Sequence, residues 1–327
     1  MAEALLVKEA GAVEAPASGA HPFWRRLRAR RAALVAAAVV ALLVLTALAA
    51  PLLAGIEGQN PTTYHPDLVD SATGGVPLGS FGGISADHWL GVEPLTGRDL
   101  FARVVHGARV SLGVALGATL LQVIAGVLVG LAAGLGNRFV DQALSRITDV
   151  VVALPVMVIA LGALAVVPPG FPRPVLIAVV VGLIGWSGIS KIVRAQTLSL
   201  KSRDHVAAAR LSGWGSWQIA RRELLPSLAA PVITYAVLLF PSNIVVEAAL
   251  SFLGVGIKPP TPSWGQMLSD ADTWYQAAPT YLLIPALLLF VTVLALTVLG
   301  EGVRTALDPR AASRLRIGTG AKKEAGA

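Results

Sequence analysis

Ser187 stands in Gly185-Trp186-Ser187-Gly188, within an apolar run, the setting of a membrane-embedded serine nucleophile. Such a serine needs a histidine on a neighbouring membrane helix to take its proton. The five histidines, His21, His65, His88, His106 and His205, all lie outside the apolar runs, so Gly185 and Gly188 read as packing residues instead. His65, His88 and His106 share one polar segment without the HxxxH spacing of a metal site. The chain has no cysteine, which excludes disulfides, cysteine-ligated zinc, iron–sulfur clusters and thiol catalysis. Glu247, toward the outer end of an apolar run, is a candidate pore-mouth carboxylate that reaches water or a partner. No GxxxxGK[ST] occurs, so the chain is not expected to hydrolyse nucleotide itself. No catalytic, cofactor-binding or metal-binding residue is expected.

With so little chemistry in the chain, the elements that would carry these groups become the subject. The 327 residues are 55% hydrophobic and 14% charged, with a mean hydropathy of +0.70. A soluble domain carries roughly 25% charged residues, so the bilayer is the solvent for much of this chain. The net charge of +7 does not imply nucleic acid as a partner, because the basic residues flank apolar runs, as the positive-inside rule expects.

The apolar pattern predicts six transmembrane helices in an all-α integral membrane fold. The spans are 32–54, 110–135, 139–167, 175 to about 193, 228 to about 250, and 280–303. The first is long enough to cross a hydrocarbon layer of about 30 Å and reads as an anchor. It is preceded by a cytoplasmic tail, 1–31, and together with the external segment 55–106 it forms one unit, 32–106. A core of five spans, 107–303, and a basic cytoplasmic tail, 304–327, complete the chain. In the second span Gly113 and Gly117, then Gly126, Gly130 and Gly134, recur every four residues and predict ridges for close helix packing. Pro155 predicts a kink in the third span, and Arg146 and Asp149 are one turn apart and can pair. Of the 26 Lys and Arg residues, 21 fall inside and 5 outside on this arrangement. Both termini are therefore expected in the cytoplasm, in a multi-pass protein of the cell membrane in contact with lipid.

Between the fourth and fifth spans lies a short basic insertion, SRDHVAAARLSGWGSWQIARRELLP. Ser202 or Asp204 is expected to cap a first small helix and Ser216 a second. Gly213 stops the first through the left-handed conformation, and Pro226 ends the second by having no N–H to donate. A chain that leaves the membrane, makes two helices and returns offers a surface to something else.

The spacing of this insertion resembles a known pattern. Ala207-Ala208-Ala209, three residues, Gly213, nine residues, then Glu223-Leu224-Leu225-Pro226 matches the EAA loop of ABC importer permeases. HWLGVEPLTGRDLFARVVHGARVSL before the second span, EAALSFLGVGIKPPTPSWGQML from Glu247, and LGEGVRTALDPR from Leu299 resemble the dipeptide, oligopeptide and nickel importer permeases of the DppC/OppC type. The likeness runs from about Trp24 to Arg310. It implies a type I importer permease with the MetI-like fold, paired with a homologous DppB/OppB-type permease. Two ATPase subunits that bind ATP and magnesium and an extracytoplasmic substrate-binding protein complete the expected assembly. The loop 196–227 is then the ATPase-coupling loop, carried by Asp204, Ala207, Ala208, Ala209, Arg210, Gly213, Trp214, Gly215, Leu225 and Pro226. The family's Glu is Ala207 here and its Ile is Glu223, so shape, Gly213 and the arginines Arg210, Arg221 and Arg222 are expected to carry the joint. The implied function is ATP-driven uptake of dipeptides, oligopeptides or a related solute such as a nickel chelate.

Overall fold

A computed structural model describes residues 21–168 and 170–307. The expected tails beyond them, including Arg310, lie outside the described residues. The short helix α1 (His21–Arg28) leads into α2 (Arg31–Leu48) and α3 (Ala50–Glu57). A polar segment follows, pinned by a small antiparallel pair, β1 (Val69–Asp70) and β2 (Val76–Pro77), with Val69 opposite Pro77. The centre of the molecule is α4 (Leu100–Leu135), 36 residues long. Around it stand α5 (Arg138–Ala153), α6 (Val156–Val166), α7 (Arg173–Ile184) and α8 (Ser187–Leu200). Then come α9 (Asp204–Leu211), α10 (Ser216–Ile219), α11 (Leu225–Phe252), α12 (Trp264–Ala271) and α13 (Pro279–Leu307).

Four stretches are long and apolar enough to cross a membrane as single helices: α2, α4, the run Ser216–Phe252 and α13. Two bent pairs, α5 with α6 and α7 with α8, raise the count to the expected six if each pair is one crossing. The third span departs most from expectation. It is not one kinked helix, because α5 and α6 meet at 84°. Pro155 has no N–H, and the residue before a proline is pushed out of the helical region. Leu154 accordingly sits extended, at φ −78° and ψ 132°. Eleven residues of α6 rise only about 16 Å, half a hydrocarbon layer. The fourth span bends by 42° at Gly185 and Trp186.

The second span begins earlier than its hydropathy suggests. Asp99 accepts the Ala102 N–H at 2.6 Å through its side chain and caps α4. The expected boundary at residues 106 and 107 therefore falls inside a helix.

Glycine decides how α4 packs, though only along part of the expected ridge. A Cβ on Gly126 would lie 2.6 Å from the Ile189 Cβ, and one on Gly134 would lie 2.5 Å from the Thr197 Cγ2, both on α8. Gly113 meets nothing within 4 Å, and Gly117 meets only the Ala178 Cβ at 3.2 Å. The inner half of the ridge is a helix interface with α8; in the outer half only Gly113 is open.

Buried polar side chains meet within the spans. Gln122 of α4 and Asn243 of α11 exchange amide hydrogen bonds: Gln122 Nε2 donates to Asn243 Oδ1 at 3.1 Å, and Asn243 Nδ2 donates to Gln122 Oε1 at 2.9 Å. Asn243 also donates to the Thr119 hydroxyl, and Gln122 to the Val181 carbonyl on α7. Each amide satisfies the other away from water, which is how buried polar groups are tolerated.

Candidate functional site

The insertion folds as a small two-helix surface. Its caps differ from those expected. Arg203 is the N-cap of α9, with no side-chain hydrogen bond, and Asp204 is already helical. There its carboxylate faces the positive end of the helix dipole. Ser202 donates to the Ser199 carbonyl instead. Gly215, not Ser216, is the N-cap of α10.

The stop at Gly213 is as expected. Its φ is +82°, in the left-handed region. The Gly213 N–H donates to the Arg210 carbonyl at 2.9 Å and the Trp214 N–H to the Ala209 carbonyl at 3.1 Å. This is the paired bonding of a Schellman motif, and it satisfies carbonyls that the helix end would leave bare.

Pro226 does not end the second helix. The chain passes through one π-helical stretch, Ala220–Leu224, and continues as α11. The widened turn accommodates a residue without an N–H, and the helix is not interrupted.

Within α9, Val206 and Ala209 are buried and join a core with Leu200, Ile219 and Leu224. Asp204, Ala207, Ala208 and Arg210 point outward, as do Gly213, Gly215 and Pro226, while Trp214 and Leu225 are half-buried. Ala209 is thus a packing residue, not part of the outer surface. Arg222 stacks over the Trp214 ring at 5.4 Å, and His205 lies 4.0 Å from Glu223. Glu223 thus faces α9 from the end of the loop.

Two residues on this surface were missed. Leu211 is 91% exposed and Trp217 72% exposed, one on each side of the Gly213 turn. Large apolar side chains beside a turn in a short basic loop were the available signal. Both are large apolar side chains left uncovered among the described residues.

Beneath the surface, ion pairs lock α5 to α8. Arg194 makes a bidentate pair with Asp141, at 2.5 and 2.8 Å. Asp149 pairs with Lys191 at 2.9 Å, not with Arg146 as its helix spacing suggests. Lys201 donates to the Gly134 carbonyl at 2.9 Å, joining the loop to the inner end of α4.

Glu247 does not reach water. It is fully buried, and Ser251 donates to its Oε1 at 2.9 Å. Its position under the 251–263 segment corrects the pore-mouth reading. On the same side, Glu93 binds Arg98 at 2.7 Å, pairs with Arg103 and accepts from the Tyr281 hydroxyl at 3.1 Å. Arg103 also donates to Gln266 at 2.8 Å, so this buried network joins α4 to α12 and α13. His88 holds Asp99 at 2.8 Å. No cluster of His, Asp and Glu among the described residues has metal-binding geometry.

Ser187 is hydrogen-bonded to no histidine among the described residues. The glycines around it are filled against neighbours: a Cβ on Gly185 would meet Gln122 at 2.2 Å, and one on Gly188 would meet the Tyr235 hydroxyl at 2.3 Å.

A polytopic helical chain with a two-helix loop between its fourth and fifth spans matches one class of protein. Residues 126–313 match the family described as binding-protein-dependent transport system inner membrane component, and residues 20–72 match the N-terminal transmembrane domain of oligopeptide transport permease C. The chain belongs to this family of ABC transporter permeases, which are transport subunits and not enzymes. It is 34% identical over 288 residues to the glutathione transport system permease protein GsiD of Pectobacterium atrosepticum, covering 88% of this chain and 90% of that one. It is 34% identical to the dipeptide transport system permease protein DppC of Alkalihalophilus pseudofirmus, covering 88% of each chain. The GsiD of Escherichia coli O157:H7 is 37% identical over 290 residues, covering 89% of this chain and 90% of that one. Among solved structures, an inward-facing MetNI methionine ABC transporter aligns with a TM-score of 0.47 and 17% identity, over 63% of this chain and 96% of that one.

Proposed function

We propose that this chain is one permease half of an ATP-driven importer of short peptides or peptide-like solutes such as glutathione. Relatives sharing about a third of its residues over nearly its whole length are named for glutathione, dipeptide and di/tripeptide transport. A second permease completes the pathway, an extracytoplasmic binding protein delivers the solute, and two ATPase subunits hold ATP and magnesium. Both termini face the cytoplasm, as the distribution of basic residues favours.

The observation that carries the coupling role is the exposure of Leu211 and Trp217 on either side of the Gly213 turn, on helices packed into one core with Leu200 of α8 and Leu228 of α11. A groove in an ATPase subunit would cover these two side chains. Because α9 is packed through Val206 and Ala209 onto the bundle, ATPase closure would move it as a rigid body and tilt the spans. The test is reconstitution of the complete importer in vesicles with labelled glutathione and labelled dipeptides. ATP-dependent uptake of at least one is expected, with loss of both uptake and ATPase co-purification in Leu211→Asp/Trp217→Asp. Unchanged ATPase association in that double variant would sink the coupling surface. Absence of uptake for both solute classes would sink the substrate reading alone.

A further inference from the structure

A groove of about 870 Å³ lies on the outer half of the bundle, between α4 and α7. Neither the coupling loop nor the Glu93 network opens into it. Its floor is the outer part of the glycine ridge: Gly113 has nothing within 4 Å of its Cβ position, and Gly117 stands against Ala178 of α7 at the groove's side. Leu120, Leu121 and Val179 continue the apolar wall toward the membrane centre. From Arg109 to Leu121 the groove follows α4 for roughly 18 Å, close to the ~15 Å depth of one leaflet's hydrocarbon.

The two ends of the groove differ. The inner end is wholly apolar. At the outer end stand Arg109, His106, Thr62 and Thr261. Arg109 is exposed and makes no hydrogen bond or ion pair among the described residues, and no acidic residue lines the groove. His106 directs Nδ1 to the Ala102 carbonyl at 2.9 Å, which leaves its other ring nitrogen for a ligand.

An unpaired guanidinium at the level of the headgroups, above an apolar channel one leaflet deep, is complementary to one kind of molecule. We propose that this groove is a binding site for a single glycerophospholipid of the outer leaflet. Its phosphodiester is held by Arg109, and one acyl chain lies over Gly113 and Gly117. A guanidinium matches two phosphate oxygens with parallel N–H donors. The glycines supply the width, since any side chain at 113 would project into the channel. A peptide fits less well: its backbone amides would face walls with no donor or acceptor below the outer rim.

The test uses the complete importer, purified in mild detergent and loaded with palmitoyl-oleoyl phosphatidylglycerol. Native mass spectrometry after detergent exchange is expected to find one phospholipid per copy of this chain. Retention should fall at least tenfold in Gly113→Trp and in Arg109→Glu, and stay within threefold in Arg109→Lys. Inorganic phosphate and a dipeptide, each in excess, should not displace the lipid. A second measurement does not depend on those variants. The chain has no cysteine, so Gly113→Cys carries a unique thiol for a benzophenone label. Photolysis in vesicles should place the adduct on an acyl chain. Undiminished retention in both Gly113→Trp and Arg109→Glu, displacement by the dipeptide, or an adduct on the partner permease would each overturn the proposal.

Discussion

Gly130 of α4 lies against Ser190 of α8 so closely that a Cβ on the glycine would stand 2.7 Å from the serine carbonyl oxygen. With Gly126 and Gly134, which approach α8 as closely, it makes the inner half of α4 a helix interface. Gly130→Leu is expected to force α4 and α8 apart at a cost of about 1–3 kcal/mol, as overpacking does. Gly113→Ala, in open space, should shift stability by less than about 1 kcal/mol. Thermal unfolding midpoints of the purified importer check both, and equal shifts would show that the ridge is not an interface.

Gly213 is held at φ +82° with nothing around its Cβ position, so a substitution there meets strain and no clash. Gly213→Asp should cost about 1 kcal/mol locally, which leaves folding intact. Under the coupling role proposed above, ATP hydrolysis would continue while uptake falls several-fold. Paired measurements of both rates in vesicles decide it; wild-type uptake would remove the turn from the mechanism.

The reciprocal amides of Gln122 and Asn243 act as a unit. Replacing either by Leu strands the other, at about 1–2 kcal/mol. The double replacement should cost clearly less than the sum of the two. A double-mutant cycle on unfolding reads the coupling, and strict additivity would mean that the pair is not formed.

Glu57 lies outside the spans, where its carboxylate accepts the Trp89 N–H at 2.7 Å. Burial, helped by the neighbouring Asp99, raises its pKa to about 7. The folded value exceeds the unfolded one, so the ordered segment takes up a proton between pH 4.5 and 7. The stabilisation is full below pH 4.5 and lost as pH rises through 7. Amide exchange around Trp89 should therefore quicken, beyond its intrinsic pH dependence, from pH 5 to pH 8. Glu57→Gln should flatten that excess, and an unchanged profile in the variant would contradict the assignment.

Much of this was legible in the chain itself. Long apolar runs dictate helices in a bilayer, because unpaired backbone groups there have no water to bind. Arginines and lysines between the runs favour one orientation. The Gly213 turn was declared by residue type. These are local properties, set by a residue and its near neighbours.

What lay beyond the sequence depends on partners distant in the chain. Pro155 predicted a kink, but the 84° size of the break, and the pairing of α5 with α8 through Asp141 and Arg194, appear only in the tertiary structure. Glu247 looked like a water-facing carboxylate until the 251–263 segment folded over it. One ridge of regularly spaced glycines became an interface at Gly130 and an open groove at Gly113, although the residue type and spacing are the same. Periodicity determines which residues share a helix face. Only the tertiary structure decides which faces meet, because close packing is settled by the shape of whatever stands opposite.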